Sequence, residues 1–410
     1  MPAPRKVWID TDFGSDSDDS IALLLALASP ELDVQGISVV GRQSFVRALM
    51  VQAFLNAAGR PDIPVYPGWD VPTVAPAPLN AGSAAFSASP PAPAPVLLQQ
   101  WAAYQFNWFG NSGWYASANQ PVEGVGVWAT PPDSTAAGVA LAKAYAANND
   151  IALIAIGPMT NIYQALAHSA APAFGLPPIA ANVPAIYTMG LHFNPVPFNG
   201  GFVSPAVDYN LASDPVAALA LFDIFAPLGA SQPTTVMNFV TADLTLQTWL
   251  TTEQLAQINT AGATYPVLAM LGQMIGAWSL KQSQLFRYTI GPTDPSAGQV
   301  DNAGFLHDPL TVASSFGAVD PTTGEPFVQF EAANVELVLD TTSHVRAISH
   351  PLAASTVTRS LECSTPVGQN VPPGNTTFGD FVVARLLNPP VPWPTTVLPP
   401  IPLAWPPSFT

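Results

Sequence analysis

VWIDTDFGSDSDDSIALLLAL, residues 7–27, decides the fold. Val7–Ile9 is an apolar run short enough for a buried strand, and Ser20–Leu27 has the apolar spacing of a helix packed back against it. Between them stand five aspartates in ten positions: Asp10, Asp12, Asp16, Asp18 and Asp19. Strand, turn and helix in that order open a βα unit, and open α/β sheets hold their ligands beyond the carboxyl ends of the strands. The aspartates therefore mark a ligand site. Their mutual repulsion opposes folding unless a counter-charge is present. The nearest basic residues, Arg5 and Lys6, precede the strand and belong at its other end, so a hard divalent cation with oxygen ligands is the natural counter-charge. The plainer alternative is an Asp-rich turn that only caps the helix.

The alternation continues outward from this stretch. VQGISVV reads as a second strand, residues 44–58 as a helix, and IPVY as a short strand. IALIAIG from Ile151 is the next strand, with GPMTNIYQALAHS as turn and helix, and PAIYTMG at 184–190 leads over a Pro/Gly-rich loop to a helix at 214–225. The expected fold is α/β: a single domain, residues 1–385, around a mostly parallel central sheet with helices on both faces.

Two segments stand outside that pattern. Residues 69–133 form an Ala/Pro/aromatic insertion, in which QQWAAYQFNWFGNSGWY puts three tryptophans, two tyrosines and two phenylalanines into 17 positions. Two readings are open: packing on the domain surface, or an aromatic wall over a ligand, with Trp108 in it. Residues 386–410 are too rich in proline for a helix or central strand. They read as an extended arm packed by Trp393, Leu403 and Trp405 on this chain or a neighbour.

Composition narrows the function. The formal net charge of −16 argues against a nucleic-acid partner, since few cations are available to displace counterions. A single cysteine, Cys363, excludes an internal disulfide framework and a cysteine-based zinc cluster. The opening MPAPRKVWIDTD has no signal-peptide apolar region, and no apolar stretch reaches membrane-spanning length, so no membrane partner and a cytoplasmic location are expected.

DTDFGSDSDDSIAL is similar to the signature of the inosine-uridine-preferring nucleoside hydrolases: Asp-x-Asp-x-Gly, then an Asp-Asp pair opening a helix. NAAGRPDIPVYPG (56–68), IALIAIGPMTNIYQAL (151–166), VDYNLASDPVAA (207–218) and LHDPLTVA (306–313) resemble further blocks of that family, in its order. The resemblance spans roughly residues 5 to 350. It implies a calcium-dependent hydrolase that cleaves the N-glycosidic bond of a ribonucleoside or related riboside, and a homo-oligomer, dimer or tetramer. It implies these roles: Asp12 as calcium ligand and base for the attacking water, with Asp19, Asp308 and the carbonyl of Ile156 completing the Ca²⁺ ligands. Asp18 would accept a ribose hydroxyl, Asp10 would support the loop, and His307 would face the leaving base as general acid or orienting donor. Asp16 lies in a two-residue expansion of the signature and reads as a solvated loop charge.

The chemistry suits these residue types. Loss of the base leaves an oxocarbenium-like ribosyl group, and carboxylates beside it stabilise the transition state more than the neutral ground state. The chain also departs from the family. Asp208 stands for a Glu and withdraws the carboxylate from the sugar 5′-hydroxyl by one methylene, while Asn210 is kept and Asn199 is the candidate for a second sugar-binding Asn. Arg42 replaces an Asn near ribose and base, where it either pairs with a carboxylate or meets the substrate. FNWFGNSGWY replaces the family's His-Gly segment, so base recognition differs. These departures motivate a second reading, a non-catalytic calcium and riboside binder on the same fold. A third, a haloacid-dehalogenase-type phosphatase suggested by IDTD, fails at Gly14, where that family needs Thr or Val.

Overall fold

The structure is a computed structural model that describes residues 3–14, 16–41, 44–68, 136–170, 177–193, 208–231, 234–286, 301–339, 345–350, 356–364 and 377–397. Its first strand, β1 (Arg5–Thr11), is buried from Val7 onward, as a central parallel strand covered on both faces must be. The chain turns into α1 (Asp18–Ala28), continues through β2 (Leu32–Val39) and α2 (Ser44–Ala57), and reaches β3 (Val65–Pro67). After the insertion come α3 (Ala136–Ala147), β4 (Ala152–Ala155), α4 (Thr160–Ala170), β5 (Ala185–Met189), α5 (Tyr209–Ser213), α6 (Pro215–Phe225) and β6 (Val236–Val240). The remainder runs α7 (Ala242–Thr245), β7 (Trp249–Leu250), α8 (Thr252–Gly262), α9 (Pro266–Phe286), β8 (Gly304–Phe305), α10 (His307–Ser315), β9 (Glu331–Leu339), β10 (Val345–His350), β11 (Arg359–Cys363) and α11 (Thr377–Leu387).

Among the described residues, nine strands form the main sheet in the order β10-β9-β11-β6-β5-β4-β1-β2-β3. From β11 to β3 every pairing is parallel; β9 and β10 add antiparallel pairs at one edge. The chain moves outward from β1 through β2 to β3, then returns to place β4 on the other side of β1. That reversal between β1 and β4 is a topological switch point, where the carboxyl ends of the strands open a crevice.

Each face of the sheet carries its own core. Val7 and Ile9 pack with α1, α2, α9, α10 and α11 on one side. Trp8, Leu153 and Ile186 pack with α3, α4 and α6 on the other. α1 is buried on nearly every side, because it packs beside α10 and against β2, α9 and α11; a helix apolar all round is an interior helix. The single α/β domain with a mostly parallel sheet and helices on both faces is thus as expected.

The strands and helices read from sequence are present, and the later elements β6, β9–β11 and α8–α11 complete the fold. Trp393 is buried and donates its indole N–H to the Leu386 carbonyl at 2.7 Å, so the described part of the proline arm packs on this chain. Leu403, Trp405 and the insertion at 69–133 lie outside the described residues. Among the described residues no helix is long and apolar enough to cross a membrane.

Candidate active site

β1 ends at Thr11 and the aspartate turn begins. Gly14 has φ +95°, a left-handed conformation that only glycine adopts without strain, and it reverses the chain toward α1. Ser17 is the N-cap of α1, but its hydroxyl makes no capping bond. Asp16 Oδ1 instead accepts the Asp18 N–H, and Asp18 Oδ1 accepts the Asp19 N–H, each at 3.0 Å. The Thr11 hydroxyl donates to Asp19 Oδ1. Satisfying the amides of one helix start needs far fewer carboxylates than are gathered here, so capping does not account for the turn.

Three separated segments meet this turn. The Ile156 N–H donates to the Asp10 carbonyl at 2.8 Å, which locks the end of β4 beside the end of β1. A Cβ on Gly157 would lie 2.8 Å from the Asp12 nitrogen and 3.1 Å from Asp12 Oδ1; glycine there lets β4 close on the carboxylate. Asn210, from α5, points its amide at the Ile156 carbonyl at 3.5 Å and the Met189 carbonyl at 3.3 Å. Asp308, buried in the first turn of α10, brings a second helix N-terminus to the cluster, whose positive end favours carboxylates.

The electrostatics report the crowding. Burial first, then the charges of Asp12 and Asp16, push Asp19 well above the usual carboxylate range. Burial and the charges of Asp19, Asp16, Asp12 and Asp208 do the same to Asp308. Asp16 is pushed up to about 8 by burial and by Asp12. This corrects the reading of Asp16 as a solvated loop charge: it is half-buried, and its ligand atoms lie within 4.8 Å of those of Asp18 and Asp19. Asp10 sits one layer below, raised to about 7 by burial against the hydrogen bonds of Ser38 and Asn161. Asn161 Nδ2 reaches Asp10 Oδ1 at 2.8 Å, and the Ser38 hydroxyl donates to the same oxygen while accepting the Trp8 indole N–H at 3.0 Å. The gathered side chains are carboxylates with a backbone carbonyl beside them, a set of hard oxygen donors that fits a hard divalent cation such as calcium.

One cation of the chain also reaches the turn, which corrects the expectation that its counter-charge must come from outside. Arg47, on α2, is 1% exposed. Its guanidinium donates to the Asp12 carbonyl and, at 2.9 Å, to the Phe13 carbonyl, and its charge draws Asp16 and Asp19 down. Arg5 and Lys6 do lie at the other end of β1, on Tyr187 at 2.7 Å and Asp150 at 2.8 Å.

His307 begins α10 with Nδ1 2.6 Å from the Thr245 hydroxyl and its ring against Phe305, centroids 5.2 Å apart. Burial, and then the charge of His192, hold it down to about 3, so the proton-donating range near 6.5 expected from an unperturbed His does not apply to this ring as it stands. His192 is buried too and follows Leu191, a left-handed residue at φ +69°. Asp208 caps α5, its Oδ1 accepting the Leu211 N–H at 2.8 Å; burial raises it to about 6. Arg42, Asn199 and Trp108 lie outside the described residues.

Sequence reasoning missed Arg47, His192, Thr245 and the Ser38–Asn161 brace. Arg47 had a usable signal: a lone basic residue inside SFVRALMVQAFL, in a chain with only 11 lysines and arginines.

The profile of the family described as inosine-uridine preferring nucleoside hydrolase matches residues 7–371. An uncharacterized fission yeast (Schizosaccharomyces pombe) protein is 28% identical over 312 residues, 75% of this chain and 78% of its own length. The pyrimidine-specific ribonucleoside hydrolase RihB of Escherichia coli is 26% identical over 260 residues, 63% of this chain and 66% of its own. A solved plant nucleoside hydrolase superposes with a TM-score of 0.55 at 19% identity, covering 93% of this chain and 98% of that one, and so shares the fold. With the aspartate turn, the β4 carbonyl and the His-Asp start of α10 in one crevice, and the family profile spanning nearly the whole chain, the protein belongs to the inosine-uridine preferring nucleoside hydrolase family of N-ribosyl hydrolases.

Proposed function

We propose that the protein hydrolyses the N-glycosidic bond of a ribonucleoside or related riboside to ribose and free base, with Ca²⁺ held by Asp12, Asp19, Asp308 and the Ile156 carbonyl. The observation that carries this reading is convergence: groups from the ends of β1 and β4 and the starts of α1 and α10 meet at the switch point, where burial and the neighbouring carboxylates push Asp19 and Asp308 well above the usual carboxylate range. When bound, the ion supplies positive charge that acidifies a water and orients the sugar cis-hydroxyls.

The residues divide the remaining tasks. Asp12 takes the proton of the attacking water, a role suited by its place at the strand end, and Asp18 accepts a ribose hydroxyl. Together these carboxylates stabilise the positive charge that develops on the ribosyl group. Asp10, braced by Ser38 and Asn161, holds the turn from below. His307, with the Thr245 hydroxyl on Nδ1, serves the leaving base as an orienting donor through Nε2. Asp208 and Asn210 face the sugar, while Asn199, Arg42 and Trp108 set the 5′ and base contacts. The same reading makes the protein a cytoplasmic dimer or tetramer in ribonucleoside catabolism.

The test is ribose release by the full chain from a panel of purine and pyrimidine nucleosides, after chelation and after adding calcium back. Calcium-dependent release of ribose and free base is expected. Calorimetric calcium binding with no ribose from any nucleoside would replace this reading with a non-catalytic binder on the same fold.

A further inference from the structure

We propose that Arg47 is a resident counter-cation of the aspartate turn, holding it folded before metal arrives, so that Arg47 and the metal ion compete for the same carboxylate charge. The second half rests on the metal reading above; the first does not. A guanidinium buried to 1% exposure is costly unless its charge and its donors are satisfied. Two of its hydrogen bonds go to the backbone carbonyls of Asp12 and Phe13, the residues that open the turn. Bonds to carbonyls pin the main chain and make no demand on the carboxylate oxygens that a metal needs.

The placement is specific to this turn. Gly41, at φ +95°, lies just after β2, where an added Cβ would stand 3.5 Å from both Arg47 Nε and Asp12 Cβ. The backbone there approaches both side chains closely. The Arg47 charge draws down both Asp16 and Asp19, so it bears on more than one member of the cluster. Two cations that stabilise the same anions oppose each other's binding, and the coupling is reciprocal.

A variant cycle tests this: Arg47→Met, Asp16→Asn and the double variant, melted as full chains in chelator and in saturating calcium. Arg47→Met is expected to lower the metal-free melting temperature by about 5 °C or more, and to enlarge the rise that calcium produces. Calorimetry should show calcium bound more tightly by about tenfold, a typical coupling. Adding Asp16→Asn should recover most of the metal-free loss. An equal loss with and without calcium, and no recovery from Asp16→Asn, would make Arg47 an ordinary structural arginine and overturn the proposal. If Arg47→Met does not fold without calcium, the double variant decides: restored folding supports the counter-charge, and a chain still unfolded overturns it. Should calcium leave the wild-type protein unaffected, the metal reading fails while the metal-free cycle still decides the role of Arg47.

Discussion

The two ends of the sheet handle charge in opposite ways. At the amino end, ion pairs sit at or near the surface in local couples: Lys6 with Asp150 at 2.8 Å, Arg60 with Asp62 at 2.9 Å, Arg385 with Glu31 at 2.8 Å and Arg359 with Asp223 at 2.6 Å. At the carboxyl end, Asp10, Asp12, Asp18, Asp19 and Asp308 are buried, and several are pushed upward by one another. Pairs of the first kind contribute little individually and relieve local charge. A cluster of the second kind opposes folding unless a counter-charge offsets it, which makes it a functional-site candidate. The same strand, β1, stands in the first regime at Lys6 and leads into the second at Asp12, six residues along the chain.

The largest effect should come from the carboxyl end. Asp12→Asn keeps an oxygen in place but removes a base and a negative charge. Once a riboside substrate is in hand, turnover should fall by about 10²–10⁴, with the circular dichroism spectrum unchanged. Wild-type turnover in this variant would remove Asp12 from the water-activating role and break the contrast between the two ends.

Metal removal is the next largest. If the carboxylates are relieved by a bound ion, chelation should destabilise the protein, by about 2.7 kcal/mol relative to calcium at a hundred times its dissociation constant. Asp308→Asn should blunt that difference and weaken calcium binding in calorimetry, because it removes a ligand from the α10 side. A melting temperature indifferent to calcium in the wild-type chain would mean the cluster tolerates its own charge.

Much of this contrast was legible in the sequence, and the limits are physical. The βα alternation and the aspartate turn are local patterns with fixed spacing, so they could be read directly, while the His-Asp start of α10 was reached through the resemblance of LHDPLTVA to a family block. Asp16 was misjudged because exposure is a tertiary property: nothing in GSDSDD says that α10 will close over the turn. Arg47 was missed for a similar reason, since its partners are main-chain carbonyls 34 and 35 residues earlier, and carbonyls leave no trace in composition. His192 follows a strand whose end could be seen, but that its charge reaches His307 is a tertiary fact. The β9–β11 edge was harder to read because β11 alternates buried with half-buried residues and β9 is mostly half-buried, so neither has the continuous apolar run of a central strand.

A smaller effect separates burial from charge at the amino end itself. Arg359 is 5% exposed and also donates to the Ala226 carbonyl at 3.0 Å, whereas the Asp223 side chain is 65% exposed. Asp223→Asn should cost well under about 1 kcal/mol. Arg359→Met should cost about 1–3 kcal/mol in urea unfolding, because it strands a carbonyl. Equal costs would show that the ion pair, and not the buried carbonyl, sets the energy there.

The smallest effect should come from Glu31. Arg385 holds it through two hydrogen bonds of 2.8 and 2.9 Å, from a guanidinium that also lies 5.2 Å from the Phe381 ring centroid. Partial burial pushes the Glu31 carboxyl up, but the Arg385 hydrogen bonds, its own backbone amide and the Arg385 charge more than offset this, leaving it below its ordinary 4.5. A carboxyl lowered on folding adds stability above its unfolded pKa, and that stability is lost as the pH falls through the folded value. The Glu31 side chain is 39% exposed, so solvent screens the pair and Glu31→Gln should cost only about 0–1 kcal/mol at neutral pH. The cost should fade in acid as the pH falls through the lowered folded value, where wild type and variant melt together. High salt should shrink it as well, since an exposed pair is screened. A loss larger than that of Arg359→Met, or one that persists in acid, would mean Glu31 is held as a structural buried group, and the amino end would then resemble the carboxyl end more than the distances suggest.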